Sequence, residues 1–206
     1  MKIYIGGLNA VGKSTLLKKA ADQLGFTYVH ATSGLLNHLG FGKDYEKLRA
    51  LSQHERDIAL AQYIESLFTE NNRGKSILVD GHYLSLVRGK IDQVTGPWIG
   101  KFDALALISA PIEDIWRRIE ADASMRDRAL FPPDTNTSEQ KEILANYDVQ
   151  MHKEFDQLAN TYSKPRIEIT NHEGKLEDAI EKFVIHIRIT PHPPHHSPPS
   201  PSSHIP

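Results

Sequence analysis

Cysteine is absent from the 206 residues, which excludes disulfide frameworks, thiol nucleophiles and thiolate metal centres together, argues against redox chemistry and makes the cytoplasm the expected compartment. An excess of either charge is missing too: 24 lysines and arginines face 26 aspartates and glutamates, for a formal charge of -2. With no global field to draw in a phosphodiester backbone or an anionic bilayer, neither nucleic acid nor membrane is an expected partner, and any basic surface must be local. No apolar run approaches the roughly twenty residues that span a bilayer, and the chain opens directly on strand-like residues, so neither a signal peptide nor a membrane helix is expected. The length suits one domain with its own core.

What is present starts at once. Gly7-Leu8-Asn9-Ala10-Val11-Gly12-Lys13-Ser14-Thr15 follows the run Ile3-Tyr4-Ile5 and precedes Leu16-Leu17-Lys18-Lys19-Ala20-Ala21, so the spacing G-x-x-x-x-G-K-[ST] sits between a strand and a helix as a P-loop requires. A phosphate chain is held by backbone N–H groups of a concave, glycine-permitted turn at a helix N-terminus. Lys13 is then expected to reach the β- and γ-phosphates and the Ser14 hydroxyl to ligate Mg²⁺, with Gly7, Asn9, Ala10, Val11, Gly12 and Thr15 completing the nucleotide cradle.

Short apolar strands at 2–6, 27–30, 76–80, 104–109 and 166–170 alternate with helical stretches at 13–24, 52–71, 112–121, 138–162 and 175–187. This pattern predicts an α/β, three-layer P-loop NTPase fold: a five-stranded parallel sheet, helices on both faces, ligands at the carboxyl ends of the strands and a short lid. Ser52 and Glu55 form a capping box for the long second helix, and Ile58, Ala61, Ile64, Leu67 and Phe68 read as its core stripe. The domain is expected to span 1–189. Residues 190–206 are a low-complexity tail with seven prolines, expected to be disordered. Its His192, His195, His196 and His204 are either a solvated appendage or metal ligands.

Two further signals carry chemistry. Ile77-Leu78-Val79-Asp80 is an apolar strand ending in an acid; Asp80 either forms a turn or, beside the P-loop, holds a water of the Mg²⁺ shell. Gly81 would let a substrate approach the backbone, and His82 either orients a phosphate or water, or has a purely local role. Arg117 and Arg118 close a helix, followed by Arg126 and Arg128 in a polar loop. These four either stabilise transferring phosphate from a closing lid or, for the first two, complement a helix end.

With these motifs the chain resembles the nucleoside-monophosphate kinase group, most closely the archaeal-type adenylate kinases and related small ATPases, over 1–189. The resemblance rests on the P-loop, Leu48-Arg49-Ala50-Leu51, Val79-Asp80-Gly81-His82 and the arginine series. It implies ATP and Mg²⁺ as cofactors and transfer of the γ-phosphate to AMP. Arg118 is then expected near adenine, Arg126 and Arg128 on the phosphates, and Arg49 on the AMP phosphate, with Thr32, Ser33 and His82 lining the acceptor site. The loop Asn171-His172-Glu173-Gly174 would hold adenine through its backbone. An AMP phosphate needs no general base; a kinase acting on an alcohol would use Asp80 as one. A third reading is a nucleotide-dependent ATPase or switch that docks a protein partner through its long helices or proline-rich tail. Preference between ATP and GTP stays open, as does the oligomeric state.

Overall fold

A computed structural model describes residues 1–69, 74–123 and 129–190. The first strand, β1 (Lys2–Gly6), leads through the P-loop into α1 (Lys13–Leu24) and β2 (Thr27–His30). Three helices follow, α2 (Ala31–His38), α3 (Tyr45–Ala50) and α4 (Gln53–Leu67), before β3 (Ile77–Asp80). A hairpin, β4 (Leu84–Val87) and β5 (Lys90–Gln93), and a 3₁₀ turn at Pro97–Lys101 lead to β6 (Ala104–Ser109). The chain closes with α5 (Ile112–Asp122), α6 (Thr137–Thr161), β7 (Arg166–Thr170) and α7 (Leu176–Ile189).

The five strands expected from the sequence form one parallel sheet in the order β2-β3-β1-β6-β7. Its interior strands β1, β3 and β6 are apolar almost without interruption and buried along nearly their whole length, because helices cover both faces of such a sheet. The edge strand β7 alternates between exposed and buried residues, as one covered face requires. The chain leaves β1 toward β2 on one side and leaves β6 toward β7 on the other. Right-handed crossovers in opposite lateral directions put their helices on opposite faces: α1 packs with α7, whereas α6 packs with α5 and β6.

This reversal at β1 opens a crevice at the carboxyl edge of the sheet. Register sets what lines it: Ile5 lies beside Asp80, and Asp80 beside His30. The last residue of β1 therefore hands over to the P-loop next to the last residue of β3.

Helix ends follow their capping chemistry. Ser52 and Glu55 form the reciprocal box expected for α4 (Glu55 N to Ser52 Oγ 3.3 Å, Ser52 N to Glu55 Oε2 2.8 Å), and Asn136 with Glu139 forms an unforeseen second one for α6. Most of the core stripe expected for α4 is found: Ile64 is buried and Ala61, Leu67 and Phe68 pack, partly buried, against the core, whereas Ile58 departs from it. Ala59, Tyr63 and Ile64 are its buried residues, and Ile58 is 45% exposed. The stripe through 59, 60, 63, 64 and 67 follows the helical period, and position 58 falls off it. Two short helices and the hairpin were also not foreseen. Among the described residues, no helix is long and apolar enough to cross a membrane.

Candidate functional site

The P-loop is held open by backbone geometry that few residues tolerate. Gly7 (φ 149°) and Gly12 (φ 83°) take positive angles, and Ala10 does so as a non-glycine residue (φ 63°). Gly12 is the N-cap of α1 and no side chain caps it, so the N–H groups of the first turn, with the positive end of the helix dipole behind them, point into the crevice.

Asp80 is the hub. It is 1% exposed, pairs with the Lys13 ammonium and accepts from Ser14 Oγ at 2.6 Å and Tyr28 Oη at 2.7 Å. Burial alone would push its carboxyl upward, but the Lys13 charge and the three donors more than offset this and hold it below the ordinary range. Tyr28 is moved the opposite way, well above its usual value, by burial and then by the Asp80 charge.

His82 follows directly. Its backbone N–H donates to Tyr4 Oη (3.1 Å), and Tyr4 Oη donates to the His82 carbonyl (2.8 Å). The His82 ring places Nδ1 at 3.0 Å from the Gly7 carbonyl. A carbonyl only accepts, so Nδ1 carries the proton. Burial, reinforced by the Lys13 charge, lowers the His82 pKa to about 3, which leaves Nε2 unprotonated and the ring neutral. Gly81 does not simply leave room for substrate: a Cβ there would lie 2.2 Å from Tyr4 Oη, so the space is already taken by the tyrosine.

Behind the P-loop, Arg118 bonds Ala10 O (3.3 Å) and Asn171 O (3.4 Å) and pairs with Glu173 (3.0 Å). Asn171 Nδ2 donates to Val11 O at 2.8 Å. The arginine expected near adenine is thus in contact with the loop expected to hold adenine and with the P-loop itself. Its neighbour Arg117 pairs instead with Asp114 at 2.5 Å.

In front of β3 lies a cavity of about 480 Å³. Tyr4, Leu35, Leu48 and Leu60 give it apolar wall, and Thr32, Arg56, Asp57, His82 and Asp92 give it polar groups. Of the expected acceptor residues, Thr32 and His82 line this cavity. Ser33 is exposed on α2, its Oγ 3.3 Å from His30 Nδ1. Arg49 does not reach the cavity: it is exposed on α3, where it pairs with Glu46 three residues earlier. The cation in the wall is Arg56, on the first turns of α4, which the sequence reading passed over. Its position seven residues after Arg49, beyond the Ser52 cap, was the available signal. Arg126 and Arg128 lie outside the described residues, as do residues 191–206.

The oxygen donors present suit a hard divalent cation: the Ser14 hydroxyl and the Asp80 carboxylate stand together at the head of a helix that favours phosphate. Fold and site together define a P-loop nucleotide-binding protein. More particularly, the chain belongs to the AAA domain family, whose sequence model matches residues 6–135. A search of curated protein sequences finds no significant match. Among solved structures, the shikimate kinase of Bacteroides thetaiotaomicron aligns over 92% of this chain and 99% of its own, with a TM-score of 0.61 and 11% identity. The shikimate kinase of Acinetobacter baumannii, solved in complex with shikimate, covers 91% and 92% (TM-score 0.54, 16% identity). A gluconokinase from Sinorhizobium meliloti covers 91% of each chain (TM-score 0.54, 12% identity). At such low identity the structural overlap establishes a shared fold alone and leaves the substrate to the site's own chemistry.

Proposed function

We propose that this protein is a Mg²⁺- and ATP-dependent phosphotransferase whose acceptor is a nucleoside monophosphate, AMP first among them. The observation that carries this reading is the junction of two compartments: an uncapped helix N-terminus with Lys13 and Ser14 on one side of Asp80 and His82, and the 480 Å³ cavity containing Arg56 on the other. Leu35, Leu48 and Leu60 suit a nucleobase and ribose, and Arg56 supplies a guanidinium for the monophosphate.

The groups at the junction are poor bases. Asp80 is held below the carboxylate range by its three donors, and His82 has a pKa of about 3. A phosphate oxygen is already anionic at neutral pH and asks for no proton acceptor, so the weak bases favour it over an alcohol. Lys13 offers three N–H donors and Asp80 engages one, leaving two for the β- and γ-phosphates. Ser14 and Asp80, the latter through water, would hold Mg²⁺, which would neutralise charge on the transferring group. The P-loop amides orient the phosphates, and Arg126 and Arg128, outside the described residues, would supply guanidinium charge to the transferring group.

A second reading, transfer to a hydroxyl-bearing metabolite, is favoured by Asp57 and Asp92, which line the same cavity as Arg56. It also accords with the substrates named for the shikimate kinase and gluconokinase neighbours. ADP formation from Mg-ATP, measured across nucleoside monophosphates, nucleosides and small hydroxy acids beside a no-acceptor control, separates the readings. Stimulation by AMP with reversible ADP formation is expected. Stimulation only by hydroxyl compounds would select the second reading, and hydrolysis indifferent to every acceptor would replace both with an ATPase or switch.

A further inference from the structure

We infer that Asn171 and Arg118 are positioning residues that aim the phosphate-binding amides of the P-loop by holding two of its carbonyls from behind, an inference that rests on reading the P-loop as a polyphosphate site. Asn171 follows β7 and is 3% exposed. Its backbone N–H is tied to Ser109 O (2.8 Å), which fixes the residue to the end of β6. From there Nδ2 reaches Val11 O at 2.8 Å, across 160 residues of sequence. Arg118, on α5, places Nη1 at 3.3 Å from Ala10 O and Nη2 at 3.4 Å from Asn171 O, so a single guanidinium spans both partners. Glu173 holds that guanidinium through Nε (3.0 Å), and Asp114 fixes Glu173 by accepting its backbone N–H (3.0 Å).

In a trans peptide the C=O of one residue and the N–H of the next point in opposite directions across one plane. Drawing Ala10 O and Val11 O toward Arg118 and Asn171 therefore turns the N–H groups of Val11 and Gly12 the other way. The left-handed angles of Ala10 and Gly12 are the backbone cost of that arrangement, and the two side-chain donors hold it in place. The Asn171 amide has one workable orientation. Its Oδ1 is buried without a partner, and reversing the amide would set carbonyl against carbonyl at Val11. Gly12 belongs to the same device: a Cβ there would come within 2.5 Å of Asn171 Nδ2. The loop is thus set before ligand arrives, which is the condition under which backbone dipoles stabilise charge without reorganising.

The probe is inorganic tripolyphosphate with Mg²⁺, which carries phosphates but no base, titrated calorimetrically beside Mg-ATP into the full chain and into Asn171→Ala and Arg118→Ala. Both variants are expected to lose affinity for tripolyphosphate and ATP by the same factor, about tenfold each. Arg118 is partly exposed, so its variant keeps the question open should Asn171→Ala fail to fold. Unchanged tripolyphosphate affinity in a folded variant would overturn the clamp, and so would a loss confined to ATP, which would place the residue on the base instead. A wild-type chain that binds neither ligand would overturn the polyphosphate reading and the clamp with it, an outcome distinct from wild type and variants binding alike.

Discussion

The two sides of the crevice are held together differently. On the P-loop side the contacts join distant parts of the chain: Lys13 and Ser14 to Asp80, Tyr28 to Asp80, His82 to Gly7, Asn171 to Val11. On the side of the proposed acceptor cavity, within α3 and at the head of α4, they are local, as in Asp44 with Lys47, Glu46 with Arg49 and Ser52 with Glu55. Long-range bonds fix a group relative to the sheet and come apart only if the sheet does. Local pairs fix a helix but leave it able to move as a body over the cavity. A rigid phosphate cradle facing a movable acceptor wall is what a kinase that closes around its second substrate would need.

The sharpest way to break this contrast is at its rigid end. Lys13→Ala removes the one ammonium buried against Asp80 and is expected to lower phosphoryl transfer by at least about 100-fold, measured as ADP formation under saturating acceptor. Retained turnover would remove the P-loop from the chemistry altogether.

The same contrast explains what was legible in the sequence. The P-loop was readable because its chemistry is local in sequence and its flanks are a β-branched strand and a helix. Asp80 was readable because an apolar run ends on it, and the sheet because its buried strands are nearly all apolar. Asn171 as a P-loop partner was not, since nothing near residue 171 records what lies 160 residues upstream. In the acceptor region the sequence offered Arg49 and Arg56 in similar polar surroundings, and only the turn between α3 and α4 decides which one faces the cavity. The hairpin of β4 and β5 was missed because its strands are four residues each and pair only with one another.

His82 tests the rigid side through pH. Its folded pKa of about 3 lies below the ordinary 6.5, so between those values the unfolded chain binds a proton that the folded chain refuses. Stability from this group is therefore full above pH 6.5 and is lost as pH falls toward 3, by about 1.4 kcal/mol per unit. Asp80, depressed below 3.8, acts in the same sense at the lower end, its contribution disappearing as pH drops through its folded value. Urea denaturation from pH 7 to pH 4 should show the slope, and His82→Asn should flatten it. An imidazole NMR signal from His82 titrating near pH 6.5 in the native protein would contradict the neutral ring.

The smallest effects are expected on the movable side, and there the two arginines give opposite answers. Arg56 lines the cavity, so Arg56→Ala should raise the acceptor KM about tenfold while leaving ATP affinity alone, the signature of a lost contact to the acceptor's anionic group. Arg49 is exposed and paired with Glu46 on its own helix, and exposed pairs of that spacing contribute little. Arg49→Ala should accordingly change kcat and KM by less than about twofold. The reverse result, a silent Arg56 and a damaging Arg49, would mean that α3 swings inward when the acceptor binds and carries its arginine into the cavity. The local pairing of Glu46 and Arg49 would then be a resting contact surrendered on closure, and the acceptor wall would be defined by a motion rather than by the resting geometry.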